Sequence, residues 1–313
     1  MKIFIRKLIF FIAFILMVLL LLQLTILFRL KGKNIRGYDN LEQTSNVNAD
    51  LVFIGSSRCW AHFDPHFFDS TFKIKSVNIG MDGHSQISSA IVRLKYYLSR
   101  NKTPRFAILN FDPFVYAGSE KDNNDFGHKD SYARYAFLPD NKDLLIVNYF
   151  KFNLYEKYIP LYAIFKYRIL GSCLIIENKN NYSENGYERH DEKWDTIAKP
   201  VTDIMKKSFF NEAEKPRIIN ALDDLNKFCK KNNIKLLCIQ TPVYKSIHED
   251  IVFSKPASIC KSLGILFIDA NVEYIRSDIN CFYNSFHLNT LGVLQMNLIF
   301  KENKVLTSFI NDK

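Results

Sequence analysis

Residues 51–65 read LVFIGSSRCWAHFDP. Four apolar residues lead directly into Gly55 and two small hydroxyl residues, Ser56 and Ser57. A short apolar run that stops at a glycine predicts a buried strand ended by a tight turn. Ligands of open α/β sheets bind beyond the carboxyl ends of the strands, so this turn would present a serine where ligands gather. Such a serine is either a nucleophile or the cap of the following helix.

The same alternation of short apolar strands and amphipathic helices recurs along the chain. Further strands are predicted at 73–79, 106–110, 234–239 and 264–268, and helices at 86–100, 216–232 and 290–300. Strands separated by helices indicate a mostly parallel sheet covered by helices on both faces, that is, an α/β fold.

Residues 113–212 differ from this pattern, because they are rich in Tyr, Phe, Lys and Asn and show no clear alternation of strands and helices. We interpret them as an insertion or cap of about 100 residues within a domain formed by residues 50–112 and 213–313. Aromatic residues here either pack the insertion or form a sugar-binding platform, and packing is the commoner role.

The amino terminus carries an uncharged run of 21 residues, 8–28. At about 1.5 Å per residue, such a helix spans a hydrocarbon core of about 30 Å. A secretory signal peptide would have a shorter apolar region and a small-residue cleavage site. We therefore predict a transmembrane anchor at 8–28, a cytoplasmic tail at 1–7 and a polar tether at 29–49.

The net charge of +10 does not indicate a nucleic-acid partner. Seven basic residues and no acidic residue lie in 1–37, so 42 minus 7 leaves 35 Lys and Arg against 32 Asp and Glu, or +3, in the remainder. A nearly balanced domain lacks the basic excess expected of a polyanion-binding protein. The six cysteines form no metal-binding spacing, and we predict no metal and no cofactor.

Two residues carry the candidate chemistry. Ser57 follows the first strand, and His287 lies in a loop before the last predicted helix. A serine nucleophile needs a base within hydrogen-bond reach and donors for the developing oxyanion. Backbone N–H groups at Ser57 and at Gly83 are suitable donors, since a glycine allows close approach. On the residues alone, a helix-capping serine stays an equal alternative.

These stretches resemble the SGNH (GDSL-type) hydrolase superfamily, which is flavodoxin-like α/β. Residues 55–57 (GSS) resemble its first block, residues 78–83 (NIGMDG) its second, and residues 284–292 (NSFHLNTLG) its last. The resemblance implies that Ser57 is the nucleophile, Gly83 an oxyanion donor and His287 the general base. The Gly-Ser-Ser form with Asp64-Pro65 is similar to membrane-anchored bacterial members, among them D-alanyl transfer and polysaccharide acyl-modifying proteins.

The sequence departs from the superfamily in two places. Its third block, Gly-x-Asn-Asp, is not recognisable, and Asn110 is the nearest amide that could act as an oxyanion donor. Asn284 stands where the superfamily has the aspartate that orients the histidine. Three interpretations follow: a Ser-His dyad assisted by Asn284, a carboxylate supplied by Asp269 or Asp278, or a site that binds without turnover.

The resemblance implies a membrane-anchored serine esterase or acyltransferase. Its partners would be the membrane, through residues 8–28, an acylated envelope polysaccharide or small substrate, and a membrane acyltransferase complex. The protein would be single-pass, with its carboxyl-terminal domain outside the cytoplasmic membrane. Arg58 would bind an anionic substrate group or pair with an acidic residue. The rival hypothesis is an inactive SGNH-like component that binds or assembles such a complex.

Overall fold

A computed structural model describes residues 2–31, 43–81, 86–111, 114–115, 155, 159–166, 184–197, 212–245 and 250–312. The chain divides into two compact units. One comprises Met1–Asp39 and His128–Asn178, and the other comprises Asn40–Gly127 and Lys179–Lys313. The second unit contains the predicted sheet. The boundaries predicted for the insertion stay a prediction, because most of it lies outside the described residues.

The first unit contains helix α1, Lys2–Lys31, and helix α5, Pro160–Lys166. Within α1, the segment Lys2–Thr25 contains an 18-residue window with a mean hydropathy of 2.9, and none of that window is buried inside the protein. This helix is long and apolar enough to cross a membrane, as judged by length and composition.

A parallel five-stranded sheet forms the centre of the second unit. Its strands are β1 (Leu51–Ile54), β2 (Ser76–Asn78), β3 (Phe106–Asn110), β4 (Lys235–Gln240) and β5 (Leu266–Asp269). They pair in the order β2-β1-β3-β4-β5, and every neighbouring pair is parallel. This is the flavodoxin-like strand order. All five predicted strands are present, and the predicted α/β class is confirmed.

Helices cover both faces of the sheet, in the order α2 (Ser57–His62), α3 (Pro65–Phe72), α4 (Ile87–Leu98), α6 (Lys215–Lys231), α7 (Asp250–Ser262), α8 (Glu273–Arg276), α9 (Thr290–Glu302) and α10 (Lys304–Asn311). Strand residues point alternately to opposite faces. Val52 accordingly packs in a cluster with Leu94 and Leu222, and Phe53 in a second cluster with Phe63 and Phe300. The first strand is buried on both faces, as its apolar sequence predicts.

The loop predicted before the last helix contains a small antiparallel hairpin. Its strands are β6 (Phe282–Asn284) and β7 (His287–Leu288). Two residues, Ser285 and Phe286, connect them. The hairpin holds Asn284 directly opposite His287 in register.

Candidate active site

The turn after β1 positions the candidate nucleophile at the edge where the strands end, which we call the carboxyl-end rim. Gly55 adopts a φ of +147°, and a Cβ at this position would lie 2.9 Å from Cys59 Cβ. The Ser56 hydroxyl accepts a hydrogen bond from Arg58 N at 3.1 Å, so Ser56 is the helix cap. Ser57 is the first residue of α2, and its hydroxyl is left for another partner.

That partner is His287. The distance from Ser57 Oγ to His287 Nε2 is 2.8 Å, although the two residues are 230 positions apart in the chain. Both side chains are partly buried at the rim. The fold thus brings together the two residues that the sequence singled out, within the reach that a nucleophile and its base require.

Asn284 determines which nitrogen of His287 carries a proton. Its Oδ1 accepts from Phe286 N at 2.9 Å and from His287 N at 3.0 Å, and it lies 3.0 Å from His287 Nδ1. The two backbone donors identify this atom as the amide oxygen, so Nδ1 must donate its hydrogen. Nε2 is then unprotonated and accepts from the Ser57 hydroxyl. A neutral amide therefore holds the tautomer that a general base needs.

Neither aspartate considered as a substitute for the missing carboxylate orients His287. Asp269 Oδ1 accepts from Asn271 N at 2.9 Å, and burial raises the pKa of this carboxyl. Asp278 Oδ1 caps a short 3₁₀ turn through Asn280 N at 2.9 Å. Among the described residues, Asn284 is the acceptor for the second imidazole nitrogen of His287.

Arg58 is buried next to the candidate nucleophile and donates to backbone carbonyls, and its predicted binding of an anionic substrate group or an acidic residue stays a prediction. The side chain is 1% exposed. Its Nε donates to Phe286 O at 3.1 Å, and its Nη2 donates to Thr241 O at 2.6 Å and to Pro242 O at 2.9 Å. Because these carbonyls belong to two loops, Arg58 ties the loop after β4 to the hairpin that carries His287.

His62 is a second tie that the sequence did not reveal. Its Nε2 accepts from Leu288 N at 3.0 Å, and its Nδ1 lies 2.8 Å from Thr241 Oγ1. The backbone donor fixes His62 as the neutral form protonated on Nδ1. Burial holds the pKa of His62 well below its usual value, and nearby Arg58 and His287 lower the pKa further.

Aromatic side chains support the other side of the His287 ring. Tyr283 stacks on His287 with ring centroids 5.3 Å apart and an interplanar angle of 20°. His190 in turn stacks on Tyr283 at 3.8 Å. The segment 184–197 thus contributes to the site, although the sequence placed it within the insertion.

The three predicted oxyanion donors lie in different surroundings. The Ser57 N–H stands at the first position of α2 and has no acceptor among the described residues. The Asn110 amide is 2% exposed and lies within hydrogen-bond distance of Thr241 Oγ1, Ile239 O and Cys59 N. Its polar atoms therefore face partners inside the protein, and its role as an oxyanion donor stays a prediction. Gly83 lies outside the described residues.

Comparisons with known proteins are sparse. No family model and no curated protein matches the chain. Matching solved structures include a Bacteroides fragilis protein provisionally described as an acylhydrolase. It is 12% identical, with 88% of this chain and 95% of that chain covered, at a TM-score of 0.41. These values are too low to assign an activity, so the site is interpreted from its own geometry.

Proposed function

We propose that this protein is a serine esterase or acyltransferase of the SGNH type that works through an acyl intermediate on Ser57. The observation that carries the proposal is the hydrogen-bond chain Asn284–His287–Ser57. In it, two backbone donors fix the Asn284 oxygen and thereby the unprotonated Nε2 at 2.8 Å from the serine hydroxyl. A capping serine would need no such base.

The chemistry follows from this chain. Ser57 Oγ forms a bond to the ester carbonyl carbon while its proton passes to His287 Nε2. The tetrahedral intermediate then releases the alcohol, which takes that proton, and leaves an acyl–Ser57 ester. Water or a sugar hydroxyl next gives a proton to Nε2 and attacks this ester, so the acyl group leaves and Ser57 regains its hydrogen. Water makes the protein an esterase, and a sugar hydroxyl makes it a transferase.

The oxyanion needs donors that are preorganised before the attack. The Ser57 N–H, which has no acceptor among the described residues, is the first donor in our proposal. Gly83 is the second, on the basis of the second sequence block. Asn284 stabilises the imidazolium through its amide dipole alone, which makes the charge on His287 the weak point of the mechanism.

We infer the substrate class and location from the anchor. Helix α1 could hold the second unit at a membrane, and the resemblance to anchored SGNH proteins favours acyl groups, such as O-acetyl groups, on a cell-envelope polysaccharide. The catalytic unit would then lie outside the cytoplasmic membrane and could serve a membrane acyltransferase complex. A periplasm-dependent reporter fused after Lys313 tests this placement, and an inactive reporter would reverse it.

A fluorophosphonate probe tests the catalytic assignment, because it reacts with activated serines. The full-length protein in detergent should be labelled on Ser57, and Ser57→Ala should abolish labelling. Ser56→Ala is the matched control, since it removes the neighbouring hydroxyl and a helix cap worth about 1 kcal/mol but leaves the hydrogen bond to His287. Absence of labelling in correctly folded wild-type protein would instead favour the inactive binding component.

A further inference from the structure

The catalytic unit has a nearly balanced net charge, but its exposed basic and acidic side chains are unevenly distributed. The amino ends of the parallel strands and the carboxyl ends of most helices meet at one end of the sheet, which we call the amino-end face. Exposed basic side chains crowd this face, among them Lys102, Arg105, Lys230, Lys231, Lys261 and Lys304. The exposed carboxylates that the described ranges place here are Glu302 and Asp312. Asp312 is already paired with Lys235 at 2.7 Å.

The chain enters the sheet at this same face. Residues 43–50 lead to the amino end of β1, and α1 ends at Lys31. The twelve residue steps from Lys31 to Gln43 can span at most about 40 Å. A bilayer that contains α1 is therefore within reach of the amino-end face, and the linkage gives the face an effective concentration of roughly millimolar at the bilayer surface.

Apolar groups lie among these charges. A groove of about 580 Å³ is lined by Lys230, Lys235 and Lys304 together with Leu266 and Val305. Leu266 is 49% exposed and Val305 is 44% exposed. Basic side chains around exposed aliphatic groups are typical of surfaces that lie on a membrane interface.

We propose that the amino-end face docks on anionic phospholipid headgroups of the bilayer that holds α1, with the Ser57 rim turned away from the lipid. The proposal rests on the membrane anchor of the proposed function and not on its chemistry. Each Lys or Arg near an anionic surface strengthens binding by about fivefold. Several such residues, together with the tether, make docking the dominant state on an anionic membrane.

Hydrogen exchange of the full-length protein in lipid nanodiscs tests this proposal. One nanodisc contains phosphatidylcholine alone, and the other contains phosphatidylcholine and phosphatidylglycerol in equal parts. We expect amide exchange in 99–105, 231–235 and 262–266 to slow several-fold in the anionic nanodisc, while exchange in 184–197 at the rim does not change. Equal exchange of the amino-end segments in both nanodiscs would overturn the proposal.

Charge-reversal variants supply the matched comparison. The triple variant Lys230→Glu, Lys261→Glu and Lys304→Glu should lose the lipid-dependent protection. The control, Lys193→Glu, Lys215→Glu and Lys245→Glu, removes the same charge from exposed lysines away from the amino-end face and should keep it. Loss of protection in both triples, or equal protection by soluble polyphosphate in the neutral nanodisc, would refute lipid docking.

Two further measurements keep this test independent of folding and of catalysis. The triple Lys→Gln variant, with unchanged thermal unfolding in the neutral nanodisc, should show an intermediate loss of protection. Ser57→Ala should dock as wild type does. Failure of fluorophosphonate labelling would therefore refute the proposed chemistry and leave docking standing, and failure of docking would leave the chemistry standing.

Discussion

The carboxyl-end rim and the amino-end face are the two ends of one parallel sheet, yet they are built in opposite ways. At the rim, polar side chains are buried and bonded to one another: Arg58 and His62 both converge on Thr241, and both hold the hairpin that carries His287. At the amino-end face, charged side chains are exposed and extend from separate elements.

This difference teaches where single substitutions matter. A buried polar group that loses its partner leaves another group unsatisfied, at a cost of about 1–3 kcal/mol each. An exposed lysine has water as an alternative partner, so its loss usually changes stability by less than about 0.5 kcal/mol. We therefore expect single substitutions to destabilise the rim. At the amino-end face, we expect an effect only when several charges change together.

The largest expected effect is at His287. His287→Ala removes the proposed base, and we expect the rate of fluorophosphonate labelling of Ser57 to fall by about 10⁴-fold or more. His66→Ala is the matched control, because His66 is exposed on α3 and does not contact the pair. Labelling of His287→Ala at the wild-type rate would show that Ser57 is not activated by this histidine.

The next largest effect is on stability, which we expect a substitution at the rim to lower more than a substitution at the amino-end face. Arg58→Met should lower the free energy of unfolding by about 3 kcal/mol or more, because three buried carbonyl groups lose their donor. Lys230→Met at the amino-end face should change it by less than about 0.5 kcal/mol. Equilibrium unfolding in detergent, followed by the fluorescence of the buried Trp60 and Trp194, measures both. Equal losses of unfolding free energy in the two variants would contradict the expected difference between the rim and the amino-end face.

His62 should make the stability of the rim depend on pH. Its pKa in the folded protein is lowered by burial, so below about pH 6.5 the unfolded chain binds a proton that the folded protein does not. The stabilisation is complete above this pH and is lost as the pH falls, by up to about 1.4 kcal/mol per pH unit. His62→Gln should flatten this slope in the same unfolding assay, and parallel slopes would exclude His62 as the cause.

The smallest expected effect is on turnover and follows a substitution of Asn284. Asn284→Asp replaces a neutral acceptor with a charged one, so the imidazolium formed during attack should be better stabilised. We expect turnover of an activated ester such as p-nitrophenyl acetate to rise by about tenfold. The ascending limb of the pH–rate profile should move to higher pH, because a carboxylate favours protonated His287. A decrease in turnover would show that the amide is already the better partner.

Much of this arrangement could be predicted from the sequence, because it depends on local patterns. The apolar runs predicted all five strands, and the strand-end position of Ser57 and the block around His287 selected the pair that lies 2.8 Å apart. The helix-cap alternative was also partly correct, since it applies to Ser56. The catalytic roles themselves stay predictions.

The ties that hold this pair could not be predicted, because they depend on contacts between distant segments. Arg58 meets Phe286 across 228 positions and His62 meets Leu288 across 226 positions. A single sequence contains no periodic signal for such contacts. The orienting role of Asn284 could be predicted only in part. Its position three residues before His287 is evident in the sequence, but the two backbone donors that fix its oxygen depend on the hairpin geometry.

The separation of Ser57 and His287 also has a consequence in time. A ribosome adds about 5–20 residues per second, so the 230 residues between them take roughly ten to fifty seconds to make. Throughout that interval the serine turn can form, but His287, the base in the proposed mechanism, has not yet been made. If the proposed mechanism holds, Ser57 is therefore an ordinary alcohol while the chain emerges, and nascent molecules are not acylated by esters. In that mechanism, reactivity begins only when the hairpin that carries His287 packs against the finished sheet.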